Sequence, residues 1–115
     1  MNIVQETVTI ENKLGLHARA AAVFVQVAHK FQSDIYLKKN NNSTGQDITE
    51  QDTDYSLNST NSLNSDWVNG KSILNVMTLD AGIGSQILIK AKGHDAQQAL
   101  ERLVKLINDK FGEKE

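Results

Sequence analysis

The order in which alternating and helical hydrophobic patterns follow one another most constrains the fold of this chain. Polar and apolar residues alternate within residues 3–10, 34–38 and 86–92, as they do in half-buried strands. Apolar residues recur instead at helical spacing in residues 18–30 and 96–107. A short strand at Trp67 and Val68 and a short helix capped by Ser72 complete the pattern. The order β-α-β-β-α-β-α predicts an α+β domain in which helices cover one face of a sheet.

A polar stretch from about residue 41 to residue 66 interrupts this pattern. It is rich in Asn, Ser, Thr, Gln and Asp, and its apolar side chains are too few to bury a core. It contains five acidic residues and no Lys or Arg, so the rest of the chain carries a formal charge of +3 within an overall charge of −2. We predict one domain over residues 1–115, with this acidic insert between the second and third strands. A mobile polar loop and a dedicated contact for a partner both fit the insert.

His17 stands where the exit from the first strand turns into an alanine-rich helix. In the N-cap position, a histidine lies beside the unpaired N–H groups of the first helical turn and the positive end of the helix dipole. An anion on its ring is stabilised there, and Arg19 adds a guanidinium suited to phosphate oxygens. A neutral imidazole is also a competent nucleophile near pH 7. These residues predict a phosphoryl carrier, although the same position suits a plain cap or a solvated side chain.

The segment from Asn12 to Ala21, NKLGLHARAA, resembles the active-site signature of the HPr family. Members of this family are the histidine-containing phosphocarriers of the bacterial phosphoenolpyruvate-dependent phosphotransferase system. The resemblance covers residues 7–40 and 68 to about 112, and it implies an open-faced sandwich with a four-stranded antiparallel sheet and three helices packed on one side. Residues 12–15 and 78–81 are closer to the nitrogen-branch relatives, but the sequence does not decide between sugar transport and nitrogen-linked regulation.

The resemblance also implies roles at the start of the first helix. His17 would accept a phosphoryl group at Nδ1 from the phosphohistidine of enzyme I and pass it to an enzyme IIA-type acceptor. The backbone amides of Ala18 and Arg19, together with the Arg19 guanidinium, would hold the phosphate, in keeping with the argument from the helix start. The family usually has proline where this chain has Ala20, so we expect slower or less well ordered transfer.

A second group of implied residues surrounds the histidine. In the family, the first helix and the short second helix together present an apolar docking patch, and we expect Ala20, Ile73 and Leu74 to be its exposed members. Ser72 matches the serine that HPr kinase/phosphorylase modifies in some lineages, although a serine N-cap needs no regulation to explain it. The alternative function is therefore a regulatory protein-binding module that acts through Ser72 or the insert without phosphoryl transfer.

Composition argues against several other classes of function. The chain has no cysteine, and its three histidines fall in different elements, so we predict no metal site, and the resemblance implies no cofactor. Basic residues are scattered and aromatic residues make up 5% of the chain, which argues against nucleic-acid binding. The chain shows neither a secretion signal nor an apolar run long enough to span a membrane. We therefore expect a cytoplasmic monomer.

Overall fold

Within the described residues, four strands and three helices follow one another in the order that the sequence predicts. The computed structural model describes residues 2–40 and 67–114. The strands are β1 (Ile3–Thr9), β2 (Asp34–Asn40), β3 (Val68–Asn69) and β4 (Gln86–Lys92), and the helices are α1 (Ala18–Ala28), α2 (Ile73–Met77) and α3 (Ala96–Asn108), followed by a 3₁₀ turn at Lys110–Gly112. The predicted α+β open-faced sandwich is confirmed.

The sheet has the strand order β1-β4-β2-β3 with antiparallel pairing throughout. Because β1 and β2 each run antiparallel to β4, their last residues, Thr9 and Asn40, both lie opposite Gln86. The chain therefore leaves β2 at the same end of the sheet at which it leaves β1 toward His17. The predicted insert at about 41–66 falls in the β2–β3 connection, but it lies outside the described residues, so its character stays a prediction.

The ends of strands and helices differ from the sequence expectation by one or two residues. β2 continues beyond residue 38 because its backbone still pairs with β4, and β3 begins at Val68 rather than at residue 67. α1 ends at Ala28 rather than at residue 30. The N–H groups of Lys30 and Phe31 bond to carbonyl oxygens three residues back, at 3.0 and 3.2 Å, which tightens the last turn.

The core lies between the helices and one face of the sheet. Alternate residues of β2 and β4 point toward the helices and are buried, while Tyr36, Lys38 and Lys90 are partly exposed on the opposite face. The largest fully buried apolar side chains are Phe24, Ile10, Ile35, Leu37, Ile87, Ile89, Leu103, Ile107 and Val76. Burial of each such side chain contributes about 1.5–3 kcal/mol before the entropy of ordering is subtracted. On the open face, the Lys90 ammonium lies 4.3 Å from the ring centroid of Trp67.

Asp95 and Gln98, three positions apart at the start of α3, match the sequence pattern of a capping box, but this prediction is wrong. Asp95 occupies the N-cap position, but its side chain makes no capping hydrogen bond to the helix, so it does not act with Gln98. Its carboxylate instead accepts hydrogen bonds from the N–H groups of Gln32 and Ser33, both at 2.9 Å, and from the Ser33 hydroxyl. Hydrogen bonds from the Ser33 side chain and the Gln32 backbone lower the pKa of Asp95 from 3.8 to about 2. Asp95 therefore fastens the turn between α1 and β2 to the start of α3.

Candidate functional site

His17 is the N-cap of α1, as the sequence predicts. Its backbone is extended, with φ −80° and ψ −179°, and its carbonyl oxygen accepts a hydrogen bond from the N–H of Ala21 at 2.8 Å. The ring nitrogen Nδ1 accepts a hydrogen bond from the N–H of Arg19 at 3.3 Å. Nδ1 thus faces the first turn of the helix, where the helix dipole and the free N–H groups favour an anion.

The other ring nitrogen of His17 contacts Glu113, from the end of the described chain. Nε2 lies 2.8 Å from Glu113 Oε2. The second carboxylate oxygen, Oε1, accepts a hydrogen bond from the side-chain amide of Asn12 at 2.9 Å, and the same amide nitrogen donates to the carbonyl oxygen of Gly15 at 2.8 Å. The ring therefore lies between a carboxylate on one side and a backbone N–H group on the other.

The electrostatic environment keeps Glu113 ionised. Burial raises the pKa of its carboxyl group, but hydrogen bonds from Asn12 and His17, with the charges of His17 and Arg19, outweigh burial and lower the pKa below its usual value. The Glu113 side chain is only 13% exposed and the His17 side chain 27% exposed. The pair is thus partly screened from water while one side of the ring remains accessible.

A tight reversal after α3 brings Glu113 back to the histidine. Lys110, Phe111 and Gly112 all have left-handed backbone conformations, with φ values of 58°, 56° and 82°. Such a run is unfavourable for residues other than glycine, and the burial of the Phe111 side chain compensates for it. Sequence reasoning missed Glu113 because 96 positions separate it from His17 and no local pattern links the two.

The backbone before His17 is fixed by a close approach between two loops. Gly15 has φ 71°, and a β-carbon at this position would lie 2.6 Å from the carbonyl oxygen of Ala81. That same oxygen accepts a hydrogen bond from the N–H of Leu16 at 2.8 Å. Glycine is therefore required here for both conformation and space, and the contact fixes the chain one residue before the histidine.

Two clefts meet at His17. The first has a volume of about 530 Å³, and its rim is largely basic; it is lined by Lys13, Leu14, His17, Arg19, Gly112, Glu113 and Lys114. The second, of about 240 Å³, has more apolar side chains among its lining residues; it is lined by Leu14, Leu16, His17, Met77, Asp80, Ala81 and Gly82. The histidine is thus placed between a basic surface suited to phosphate and an apolar surface suited to a protein partner.

The exposed apolar residues near the site differ in part from the expected set. Ile73 and Leu74 on α2 are 41% and 76% exposed, as predicted. Ala20 is fully buried, so the expectation that it is exposed is wrong. It lies on the same face of α1 as Phe24, one turn further on, and packs into the core. The sequence reasoning did not include Leu14, whose side chain is 67% exposed; only its position beside His17 in three dimensions indicates it.

Ser72 is the N-cap of α2, also as predicted. Its hydroxyl oxygen accepts hydrogen bonds from the backbone N–H of Asn75 at 3.3 Å and from the Asn75 side-chain amide at 2.9 Å. The capping role fully accounts for a serine at this position. The structure places Ser72 next to Ile73 and Leu74, at the base of the exposed side of α2.

Comparison with known proteins decides the family. The family model described as the PTS HPr component phosphorylation site matches residues 4–109. The chain belongs to the HPr family. It is 36% identical over 113 residues to the phosphocarrier protein HPr of Cupriavidus necator, covering 98% of this chain and 100% of that protein. It is 33% identical over 107 residues to the HPr-like protein Crh of Bacillus subtilis, covering 93% and 98% of the two chains.

The structural comparison agrees. The crystal structure of HPr-C-His from Thermoanaerobacter tengcongensis superposes on this HPr-family chain with a TM-score of 0.69 at 37% identity, covering all of both chains. Membership of the family assigns a phosphocarrier function in the phosphotransferase system and implies interaction with enzyme I and enzyme IIA-type proteins. In the part of the chain that the structure describes, no helix is long and apolar enough to cross a membrane. The same residues contain no cluster of side chains arranged to hold a metal ion.

Proposed function

We propose that His17 is the phosphoryl acceptor of this HPr-family protein and that the new bond forms at Nδ1. The position of Nδ1 at the start of α1, 3.3 Å from the N–H of Arg19, carries this proposal. Nε2 is occupied by Glu113, whereas Nδ1 faces the N–H groups that stabilise an anion. The donor is the phosphohistidine of enzyme I, and the acceptor is an enzyme IIA-type protein.

Arg19 and the first helical turn stabilise the bound phosphoryl group in this proposal. The backbone N–H groups of Ala18 and Arg19 lie in the turn that has no intrahelical acceptor, and the Arg19 side chain lines the basic cleft. A guanidinium binds two phosphate oxygens at once. Because Ala18 and Arg19 are exposed, water weakens these interactions, which suits a carrier that must release the group again.

Mass measurement of the intact protein tests the acceptor. The protein is incubated with phosphoenolpyruvate and enzyme I, and the mass is recorded before and after mild acid treatment. We expect one acid-labile phosphoryl group on the wild-type protein and on the His29→Ala and His94→Ala variants, but none on His17→Ala. An adduct that survives in His17→Ala, or its absence from folded wild-type protein, contradicts the proposal.

We also propose that the exposed apolar side chains beside His17 dock the donor and the acceptor. Ile73, Leu74 and Met77 lie on α2, and Leu14 joins Met77 on the apolar cleft that His17 shares. A patch of this kind, next to a basic surface, suits brief encounters with successive partners. We also expect the carrier to act as a monomer. Light scattering, which measures the molar mass in solution, tests this expectation.

Paired exposed substitutions test this docking surface. Leu74→Ser removes an apolar side chain on α2, whereas Ile3→Ser removes one that is 59% exposed at the opposite end of β1 from His17. We expect Leu74→Ser to raise the concentration of carrier needed for half-maximal phosphorylation by about 5- to 30-fold, which corresponds to 1–2 kcal/mol at an interface. If both substitutions raise this concentration equally, the proposal that this surface docks the partners is refuted.

A regulatory module acting through Ser72 is the second candidate function. Similarity to the HPr-like protein Crh and the position of Ser72 at the start of α2 favour it. Phosphate at a helix N-terminus interacts favourably with the dipole and adds two negative charges beside the docking helix. Incubation with ATP and HPr kinase/phosphorylase should give an acid-stable adduct that is lost in Ser72→Ala and retained in Ser85→Ala. If no adduct forms, this second function is excluded.

A further inference from the structure

The contact between Glu113 and His17 constrains which of the two side chains donates the hydrogen bond. The Glu113 carboxylate is ionised in its surroundings, and an ionised carboxylate can only accept hydrogen bonds. Asn12 cannot exchange its amide nitrogen and oxygen, because the nitrogen donates both to Glu113 and to the Gly15 carbonyl oxygen. Both carboxylate oxygens therefore face hydrogen-bond donors.

This arrangement determines which ring nitrogen of neutral His17 carries the proton. A nitrogen 2.8 Å from a carboxylate oxygen must be the donor, so the proton resides on Nε2. The lone pair of the neutral ring then lies on Nδ1, which is consistent with the hydrogen bond that Nδ1 accepts from the N–H of Arg19. The opposite tautomer would place a proton against that N–H and a lone pair against the carboxylate.

We propose that Glu113 is the positioning residue of the phosphoryl acceptor: it selects the Nε2–H tautomer of His17 and orients the Nδ1 lone pair for attack. This inference rests on the proposed function of His17. Asn12 has an indirect part, because it holds the carboxylate that orients the ring. The C-terminal reversal is then part of the site, since it delivers Glu113 to the histidine.

The transfer step balances without loss of a proton. The Nδ1 lone pair forms a bond to phosphorus while the P–N bond of the donor phosphohistidine breaks, and its electron pair stays on the donor nitrogen. His17 keeps its proton on Nε2, so the phosphorylated ring becomes positively charged. The Glu113 carboxylate, 2.8 Å away, stabilises that charge, and the reverse movement of electrons returns the lone pair to Nδ1 when the group passes to the acceptor.

Glu113→Gln gives the sharpest test because it keeps the shape of the side chain but removes one acceptor. A glutamine cannot accept hydrogen bonds from both Asn12 and His17, so its amide NH₂ must face one of them. When it faces His17, the histidine proton moves to Nδ1 and blocks the nucleophile. Replacement of the orienting carboxylate by its amide in serine proteases acts through the same tautomer change.

Asp109→Asn is the matched control. Asp109 is 60% exposed at the end of α3, and its carboxylate pairs with Lys105 at 3.6 Å rather than with the histidine. This substitution removes the same charge from the same end of the chain without changing the contacts of His17. Thermal unfolding of each variant shows whether the fold is retained.

The experiment records the ring nitrogens of ¹⁵N-histidine-labelled full-length protein by NMR at pH 8.5, without a donor, and then the rate of phosphorylation by enzyme I. We expect the Nε2–H tautomer in the wild-type protein and in Asp109→Asn, and a shift toward Nδ1–H in Glu113→Gln. Phosphorylation of Glu113→Gln should be about 10-fold slower, the lower end of the range measured for groups that orient metal-binding histidines.

Two results would overturn the inference: an unchanged tautomer in Glu113→Gln, or equal rate losses in Glu113→Gln and Asp109→Asn. A wild-type protein that takes up no phosphoryl group would instead overturn the proposed function. The two failures are distinguishable because the NMR spectrum is recorded without any donor.

Discussion

Substitution of Gly15 by alanine should be among the most damaging single-methyl changes in this protein. Two separate costs meet at this position. The backbone has φ 71°, which costs about 1–2 kcal/mol for a residue with a β-carbon. The added methyl group would also lie 2.6 Å from the Ala81 carbonyl oxygen, a backbone atom that cannot move without disturbing its hydrogen bond to Leu16. Overpacking of this kind costs about 1–3 kcal/mol, so we expect a total loss of about 2–5 kcal/mol in the free energy of unfolding.

Two neighbouring glycines separate these costs. Gly84 also has a left-handed conformation, φ 89°, but no atom lies within 4 Å of the position of an added β-carbon. Gly84→Ala should therefore lose only the conformational term, about 1–2 kcal/mol. Gly82 has neither constraint, so Gly82→Ala should be neutral or stabilise by about 0.4–1 kcal/mol through the unfolded state.

Urea titrations followed by circular dichroism at 25 °C measure the three free energies of unfolding. Because about 1 kcal/mol shifts the Tm of a small domain by about 4–8 °C, Gly15→Ala should also lower the Tm by about 10 °C or more. Phosphorylation by enzyme I at a temperature where all variants are folded should be slowed in Gly15→Ala alone. If Gly15→Ala loses no more stability than Gly84→Ala, the argument from the close approach of the two loops is refuted.

Three further predictions concern substitutions in the core, at the start of α3 and on the docking surface. Phe24→Ala removes a fully buried ring and should cost about 3–5 kcal/mol in a urea titration. The pKa of Asp95 is lower in the folded state, so its stabilisation is complete above pH 3.8 and is lost as the pH falls toward 2; the stability difference between the wild-type protein and Asp95→Asn should shrink over that interval. Leu74→Ala should change the free energy of unfolding by less than about 0.5 kcal/mol, because the side chain is 76% exposed; a larger loss would show that it packs in the core.

Local patterns predicted most of the fold. Strand alternation gave β4 with its observed ends, Gln86 and Lys92, and helical spacing placed α1 and α3 within two residues. Ser72 was correctly predicted as a helix cap because an N-cap bonds only to residues two or three positions away. Asp95 fits the same sequence rule, yet its carboxylate bonds to the turn after α1, more than 60 positions distant. A short stretch of sequence does not show that the backbone of Gln32 and Ser33 competes with the start of α3 for the Asp95 carboxylate.

The candidate site also combines contacts that local sequence predicts with contacts that depend on the fold. Local sequence was enough to predict the helix start with His17 and Arg19, since these contacts lie within one turn. Helical spacing also groups Ala20 with Phe24 in the core, and the structure agrees with this spacing against the exposure that the family resemblance suggested. The contact between Glu113 and His17, in contrast, depends on the folded chain. Its partners Asn12 and His17 come from the other end of the chain. The buried side chain of Phe111 and the left-handed backbone before Glu113 hold it beside them. These interactions exist only after the core has formed.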